Sequence, residues 1–251
     1  MPSDSFRYYF VSDVHLGAGK DGGKAREEKF VSFLKSLPEE TESLFLLGDI
    51  FDFWVEYKDV VPRGFTRVFG ALAELADRGC KVYFFKGNHD YWVTDYFEKE
   101  LGITVVDEPY RIFDICGRRF CIGHGDVLNV SDWKARLIFH LFRNEFLIRL
   151  LKAVPVHLMF KFAHGWSAKS RKGNADYRFN VEGSDILKFA QEIGRQQKID
   201  YFIFGHYHHA THCDVEGGGE LYLLDDWALS ANFLYFSGTG ISGLGFPNMN
   251  I

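Results

Sequence analysis

Short apolar runs that end in Asp, Asn or His recur along this chain. The run 44–47 stops at Gly48 and is followed by two carboxylates, Asp49 and Asp52. An apolar run of this length that stops at glycine predicts a strand buried on both faces, and ligands of open α/β sheets bind beyond the carboxyl ends of strands. Four further runs have the same form, at residues 8–11, 82–85, 120–122 and 201–204. Five strand ends are therefore predicted to converge on one site.

Two amphipathic helices separate the first three predicted strands. One runs from about residue 24 to 37, and the other ends at about Asp77, where Gly79 stands in the position of a helix stop. Alternation of strand, helix and strand predicts parallel strands joined by right-handed crossovers.

The second half of the chain is richer in β-structure. Residues 110–116, a turn around 117–119 and residues 120–123 predict a hairpin, and further strands are predicted at 201–204, 211–215, 221–224 and 232–236. The triple glycine 217–219 is predicted to be a turn. The predicted fold class is α/β with mixed sheets: two packed sheets flanked by helices, in a single domain of residues 1–251 with a helical insertion at about 130–180.

Composition narrows the class of protein. The apolar fraction of 47% and the charged fraction of 25% are those of a soluble globular chain, and the net charge of −5 argues against a nucleic-acid partner. Four cysteines without a Cys-x-x-Cys spacing indicate free thiols in a reducing compartment. The first residues show no signal-peptide pattern, and no transmembrane span is indicated, so we expect a cytoplasmic protein.

The chemistry of the strand ends points to metal ions. The polar blocks are Asp13-x-His15, Gly48-Asp49-x-x-Asp52, Gly87-Asn88-His89-Asp90, Gly123-His124-Gly125-Asp126 and Gly205-His206-x-His208. Carboxylate, amide and imidazole ligands without thiolate suit divalent Mn, Fe, Co, Ni or Zn rather than a structural zinc site. Two such ions bridged by one carboxylate can activate a shared water and stabilise a phosphoryl displacement, so attack by metal-bound hydroxide needs no protein nucleophile. We expect Asp90 and Asp126 to hold loop amides.

In this order the five blocks resemble those of the calcineurin-like metallophosphoesterases, over roughly residues 8–210. The resemblance implies an αββα sandwich and two divalent metal ions, for which we favour Mn. It implies that one metal is held by Asp13, His15, Asp49 and His208, and the other by Asp49, Asn88, His124 and His206. It also implies two catalytic residues that are not ligands: His89 beside the phosphorus centre, and Asp52, which orients His89 and raises its pKa.

The sequence 48–54 and a helical insertion after the His-Gly-Asp block are similar to the UDP-2,3-diacylglucosamine pyrophosphohydrolases of lipid A biosynthesis. These enzymes cleave a nucleotide-linked glycolipid to UMP and 2,3-diacylglucosamine 1-phosphate, and their insertion is a cap that holds the acyl chains. The implied substrate-binding residues are Asn88, Asp132, Ser170, Asn174, Arg178 and His206. The chain departs from that pattern in carrying His89 where many of these hydrolases carry Arg, and Tyr177-Arg178 where a cap lysine is expected.

The insertion has an unusual charge. Between Trp133 and Lys172 there are nine basic residues and one acidic residue, Glu145, on a background of apolar helical patterns. A basic amphipathic pair of helices predicts a lipid-binding lid or a membrane-surface contact. The resemblance to the lipid A enzymes implies that such a contact is peripheral and on the cytoplasmic face of the inner membrane. The alternative is a helical hairpin packed on the core or at a dimer interface.

Two other functions remain open at this point. The same site without a lipid would serve a soluble phosphodiesterase or phosphatase for nucleotides or phosphoproteins. A non-catalytic metal-binding scaffold on the same fold is the alternative from another class.

Overall fold

The computed structural model of the chain describes residues 6–19, 22–57, 60–126, 128, 144, 147–148, 154, 179–227 and 231–244. Its strands and helices in chain order are β1 (Arg7–Val11), α1 (Lys24–Ser36), β2 (Thr41–Leu46), α2 (Thr66–Asp77), β3 (Lys81–Phe85), α3 (Tyr96–Leu101), β4 (Thr104–Val106), β5 (Tyr110–Ile115), β6 (Arg118–Gly123), α4 (Asp185–Gln196), β7 (Tyr201–Phe204), β8 (Thr211–Asp214), β9 (Glu220–Leu223), β10 (Phe233–Phe236) and β11 (Ile241–Leu244). Most of the predicted insertion lies outside the described residues.

The strands form two mixed sheets. The first has six strands in the order β11-β10-β1-β2-β3-β4. In it β1 to β4 are parallel, and β10 is antiparallel to both of its neighbours, β1 and β11. The second has five strands in the order β5-β6-β7-β9-β8, with β6, β7 and β9 parallel. The predicted fold class is confirmed, including the parallel arrangement of the first three strands.

Alternating side chains along the strands build three layers of core. Phe10 and Phe45 of the first sheet stack at 4.9 Å and meet Phe120 of the second sheet in the space between the sheets. The opposite face of the first sheet packs against α1, α2 and α3, and the outer face of the second packs against α4 through Phe189 and Ile193. Since successive strand residues point to opposite faces, this gives helix, sheet, sheet and helix layers.

Several boundaries differ from the sequence prediction. The hairpin turn consists of Cys116 and Gly117 alone, with φ of 50° and 76°, so β6 begins at Arg118 and not after a three-residue turn. Two consecutive positive φ values match the right-handed twist of a tight hairpin. The strand predicted at 211–215 ends at Asp214, and the one predicted at 221–224 begins at Glu220.

Four elements escaped the sequence analysis. Helix α3 and strand β4 have six and three residues, which is too short for a periodic signal. Strand β11 follows a glycine-rich turn. Helix α4 could have been predicted, because Ser184 is a residue type favoured at helix N-caps. In the structure its hydroxyl caps the helix by accepting a hydrogen bond from the amide of Leu187. Among the described helices, none combines the length and apolar character needed to cross a membrane.

Candidate metal centre

The ends of β1, β2 and β3 in the first sheet meet the ends of β6 and β7 in the second. Within the first sheet the amide of His15 donates to the carbonyl of Asp49 at 2.9 Å. Between the sheets, Nδ1 of His124 donates to the carbonyl of Leu47 at 2.7 Å, and the amide of His206 donates to Oδ2 of Asp13 at 2.9 Å. Backbone and side-chain hydrogen bonds therefore hold the loops that carry the polar blocks at one place.

Asp13, His15 and His208 form the first group. Their nitrogen and oxygen atoms lie within 4.8 Å of one another. Nε2 of His208 is 3.2 Å from Oδ1 of Asp13 and 3.3 Å from Nε2 of His15. Two imidazole nitrogens that face each other beside a carboxylate need a proton or a cation between them, which is what a metal site supplies.

The second group is built around Asp49. Its Oδ2 atom lies 3.5 Å from Nε2 of His124, and the same nitrogen is 3.2 Å from Oδ1 of Asn88. The rings of His124 and His206 have centroids 5.1 Å apart. Asp13, Asp49 and His124 again place ligand atoms within 4.8 Å of one another. All seven residues predicted as ligands thus lie around one centre, with Asp13 and Asp49 between the two groups.

His89 lies beside this centre. Its Nε2 atom is 4.0 Å from Oδ2 of Asp49, and its ring centroid is 4.8 Å from that of His15. Nδ1 of His89 donates to the backbone carbonyl of Asp52 at 2.8 Å, whereas the Asp52 carboxylate is 3.8 Å away. The backbone, more closely than the predicted carboxylate, therefore orients the ring. Burial lowers the pKa of His89, but Asp49 and the Asp52 carbonyl outweigh it, so that the pKa is raised overall.

The backbone of the site is strained. Five of the predicted ligands adopt positive φ: Asp13 at 53°, His15 at 48°, Asp49 at 52°, His206 at 71° and His208 at 49°. Non-glycine residues rarely adopt this conformation, and such strain concentrates at functional sites. An Asp and a His two positions apart can reach one centre because the chain leaves the regular strand pleat at these residues.

Glycines let the strand ends approach one another. A Cβ atom on Gly87 would lie 2.5 Å from the amide nitrogen of Asp49 and would also overlap its Oδ1 atom. A Cβ atom on Gly205 would lie 2.5 Å from Oδ2 of Asp13. These distances are too short for any side chain, so the glycines that precede Asn88 and His206 are steric requirements of the site.

The buried carboxylate of Asp90 organises two loops. It accepts hydrogen bonds from the amides of Gly87 at 2.7 Å and Ile50 at 2.9 Å, with weaker ones from Asp49 and Phe51. The predicted role of holding loop amides is thus what the contacts of Asp90 provide. Asp126 instead accepts a hydrogen bond from the hydroxyl of Tyr91, which joins the loop after β6 to the loop after β3.

The electrostatics of the centre suit divalent cations. Asp13 and Asp49 are almost fully buried, and in the described part of the chain every ion-pair partner within 4.0 Å of either carboxylate is a histidine. Burial raises the pKa of Asp49, but His124 and His89 outweigh it and hold that pKa well below its ordinary value. Oδ1 of Asp13 is buried, and among the described atoms its near neighbour is Nε2 of the ligand histidine His208 at 3.2 Å. A buried anionic oxygen in this state is a ready-made metal ligand.

Residues 6–210 match the calcineurin-like phosphoesterases. The chain belongs to this family. A protein of Porphyromonas gingivalis named UDP-2,3-diacylglucosamine hydrolase is 34% identical over 93% of this chain and 95% of its own length. One of the same name from Ralstonia nicotianae is 29% identical over 87% of this chain and 83% of its own length. A solved archaeal phosphodiesterase has a TM-score of 0.47 at 11% identity, covering 95% of this chain and 99% of its own.

Membership of the calcineurin-like phosphoesterases makes the chain a hydrolase and implies divalent metal ions. The donor set found here fits them. Four of the predicted substrate-binding residues, Asp132, Ser170, Asn174 and Arg178, lie outside the described residues.

One segment of the site was missed in the sequence. Residues 224–227, which we call the β9 end segment, follow β9 and lie beyond the part of the chain that matches the phosphoesterase family. The amide of Trp227 donates to the carbonyl of Asp13 at 3.1 Å, and Oδ2 of Asp226 is 3.6 Å from Nδ1 of His208. A readable signal was present, because the apolar run 221–224 also ends in two carboxylates.

Proposed function

We propose that this protein hydrolyses the pyrophosphate bond of UDP-2,3-diacylglucosamine and releases UMP and 2,3-diacylglucosamine 1-phosphate. The observation that carries the proposal is the 34% identity, over nearly the whole chain, to a relative named for hydrolysis of that substrate. The complete set of polar blocks in this chain supports catalysis and argues against a non-catalytic scaffold.

The proposed ligands are Asp13, His15, Asp49 and His208 for one ion, and Asp49, Asn88, His124 and His206 for the other. The distances of 3.2–3.5 Å between their donor atoms support this assignment. Divalent ions, Mn in our proposal, lower the pKa of a water molecule and stabilise charge on a phosphate when they are bound. The family pattern makes Asp49 the proposed bridging carboxylate, and its Oδ2 atom lies 3.5 Å from Nε2 of His124.

His89 is the proposed partner of the pyrophosphate. Its side chain is largely buried beside Asp49, and its raised pKa favours the protonated ring, which donates hydrogen bonds to anionic oxygen. The carbonyl of Asp52 holds Nδ1 and so directs Nε2 toward the centre. Asn88 and His206 are also proposed to contact substrate, together with Asp132, Ser170, Asn174 and Arg178.

The lipid part of the substrate is proposed to lie between the core and the insertion. A small apolar cluster beside the metal loops contains Val55, Tyr91 and Trp92, and Ile148 of the insertion packs against it. This contact supports placing the insertion next to the loop that follows Asn88. Its excess of basic residues suits anionic phospholipids, so we propose peripheral association with the cytoplasmic face of the inner membrane.

The deciding experiment is turnover of UDP-2,3-diacylglucosamine by the purified protein with added Mn, measured as UMP release. A small chromogenic phosphodiester is tested in parallel, and Asp49→Ala serves as the inactive control. UMP release that is absent in Asp49→Ala supports the proposal. Turnover confined to the small diester would identify a soluble phosphodiesterase or phosphatase, and no turnover of any phosphoester would favour a scaffold.

Hydrolysis in ¹⁸O-labelled water should place one label in a product phosphate, whereas a trapped phosphoprotein contradicts direct attack by water.

The role of the insertion is tested with Ile148→Ser. Loss of this apolar contact should raise KM for the diacylated substrate while leaving turnover of the small diester within about twofold. Val60→Ser is the matched control, since Val60 is an apolar residue that is 52% exposed. Equal effects of Ile148→Ser on both substrates would instead assign Ile148 to folding.

A further inference from the structure

The β9 end segment contacts the proposed metal centre at two points. Trp227 anchors it: the indole is buried and packs edge-on against Phe30 and Phe33 of α1, with centroids 5.5 and 5.1 Å away. From this anchor the amide of Trp227 donates to the carbonyl of Asp13 at 3.1 Å. The position of the segment relative to Asp13 is therefore set by the core.

Asp226 makes the second contact. Its carboxylate oxygen Oδ2 is 3.6 Å from Nδ1 of His208, an ion-pair distance, while Nε2 of the same ring is 3.2 Å from Oδ1 of Asp13. The two nitrogens of His208 thus face two different carboxylates. The amide of Asp226 donates to Oδ1 of Asp225 at 2.8 Å, which restrains the backbone next to the contact.

A carboxylate that faces Nδ1 has a defined effect on a histidine ligand. It stabilises the tautomer that carries the proton on Nδ1, and this leaves the lone pair on Nε2 to bind a metal ion. His124 has the equivalent arrangement with a different partner, since its Nδ1 donates to the backbone carbonyl of Leu47. The two proposed ions therefore differ: a side chain supports the ligand of one, and the main chain supports the ligand of the other.

We propose that Asp226 is a positioning residue of the metal centre, which holds His208 with Nε2 directed toward the ion that His208 shares with Asp13. The inference rests on the proposed function only through the assignment of His208 as a ligand. It extends the site beyond the region that matches the phosphoesterase family, which ends at residue 210.

The test is a Mn²⁺ titration of the metal-free full-length protein, followed by electron paramagnetic resonance, which reports free Mn²⁺ and spin-coupled pairs. In Asp226→Ala we expect one of the two ions to bind about 10–100-fold more weakly, the usual effect of losing an outer partner of a metal ligand. The other ion should keep its affinity within about threefold, so the spin-coupled signal should appear only at higher Mn²⁺.

Two further variants separate positioning from charge and folding. Asp226→Asn keeps a side-chain oxygen that can face Nδ1 of His208, so it should recover most of the affinity lost in Asp226→Ala. Asp225→Asn removes one negative charge from the same segment but keeps the Oδ1 atom that accepts from the amide of Asp226, so it should bind both ions within about threefold of the unmodified protein. Melting curves of the metal-free variants identify any that fail to fold, and Asp226→Asn still tests the proposal if Asp226→Ala does fail.

The outcomes distinguish this inference from the proposed function. Unchanged affinity for both ions in folded Asp226→Ala, or an equal loss in Asp225→Asn, would overturn the positioning role while UMP release remained intact. Selective loss of one ion without any UMP release in the unmodified protein would support the positioning role and overturn only the substrate. Binding of fewer than two ions by the unmodified protein would overturn the metal assignment and this inference with it.

Discussion

Oδ1 of Asp49 accepts a hydrogen bond of 2.8 Å from the backbone amide of His89. The carboxylate is thereby tied to the loop after β3, and its other oxygen lies 3.5 Å from Nε2 of His124 at the end of β6. One side chain thus connects strand ends from both sheets, and its orientation is set by a backbone donor.

Asp49→Asn tests the importance of this charge. The amide keeps the shape of the side chain but removes the negative charge from a buried centre, so we expect Mn²⁺ binding to be lost. Turnover should fall by more than about 100-fold, which is the upper end of the loss seen when a residue that only supports a metal ligand is changed. Metal content after gel filtration and the rate of phosphodiester hydrolysis are the measurements. Asp77→Asn, at the exposed end of α2, is the charge-matched control. An Asp49→Asn protein that retains two ions would contradict the bridging role.

Gly87→Ala tests the close approach of the strand ends. The added Cβ atom would overlap the amide nitrogen and the carboxylate of Asp49, so the loop must shift. We expect the free energy of unfolding to fall by about 1–3 kcal/mol and Mn²⁺ to bind more weakly. Gly70→Ala, in α2 with open space around the added atom, should instead stabilise by up to about 1 kcal/mol. Urea denaturation compares the two. Similar behaviour of both variants would show that the site tolerates a side chain at Gly87.

Asp90→Asn tests the loop network. The amide group would direct two N–H donors at backbone amides that now donate to the carboxylate, so we expect a loss of about 2–4 kcal/mol in the free energy of unfolding. The measurement is urea denaturation of the metal-free protein, so that the effect on folding is separated from the effect on metal binding. A change below about 0.5 kcal/mol would show that this network contributes little.

The metal-free protein should lose stability as pH rises. Burial lowers the pKa of His208, but Asp13 and Asp226 outweigh it and raise the pKa from 6.5 to about 10. A raised pKa in the folded state adds stability that is complete below about pH 6.5 and is lost as pH approaches 10. Because the ring is 39% exposed, solvent weakens the effect, but its sign stands.

Urea denaturation at pH 6, 8 and 9.5 measures this dependence. Added Mn²⁺ should reduce the slope, because the metal and the proton compete for the same nitrogen. Asp226→Asn should flatten the slope more than Asp225→Asn does. Stability that stays level or rises between pH 6.5 and 10 would contradict the ion pairs described for His208.

Much of the architecture was predictable because strands and helices are specified by patterns of neighbouring residues. Apolar runs and helical spacing set the strands β1, β2, β3 and β7 and the helices α1 and α2, and their ends carried the polar blocks. The hairpin turn was misplaced because Cys116, a residue unusual at positive φ, occupies the place where Asn or Asp is typical. The β9 end segment was overlooked although it has the same apolar-to-carboxylate form as the other five runs.

The contacts within the site were not predictable from the pattern. Asp52 was expected to orient His89 with its carboxylate, yet its backbone carbonyl makes the closer contact, since the loop geometry and not the residue type decides which oxygen is in reach. The same holds for Tyr91 and Asp126, which are joined across two loops 35 positions apart.

The sequence by itself determined the elements and the chemistry: which runs become strands, which residue types stand at their ends, and hence the kind of cofactor that such ends bind. Only the tertiary structure decided how the two sheets pack, which brings His208 to Asp13 across 195 positions and the β9 end segment to both. The physical reason is that residue type and spacing act over a few residues. Contacts between sheets depend on the packing of the whole aromatic core.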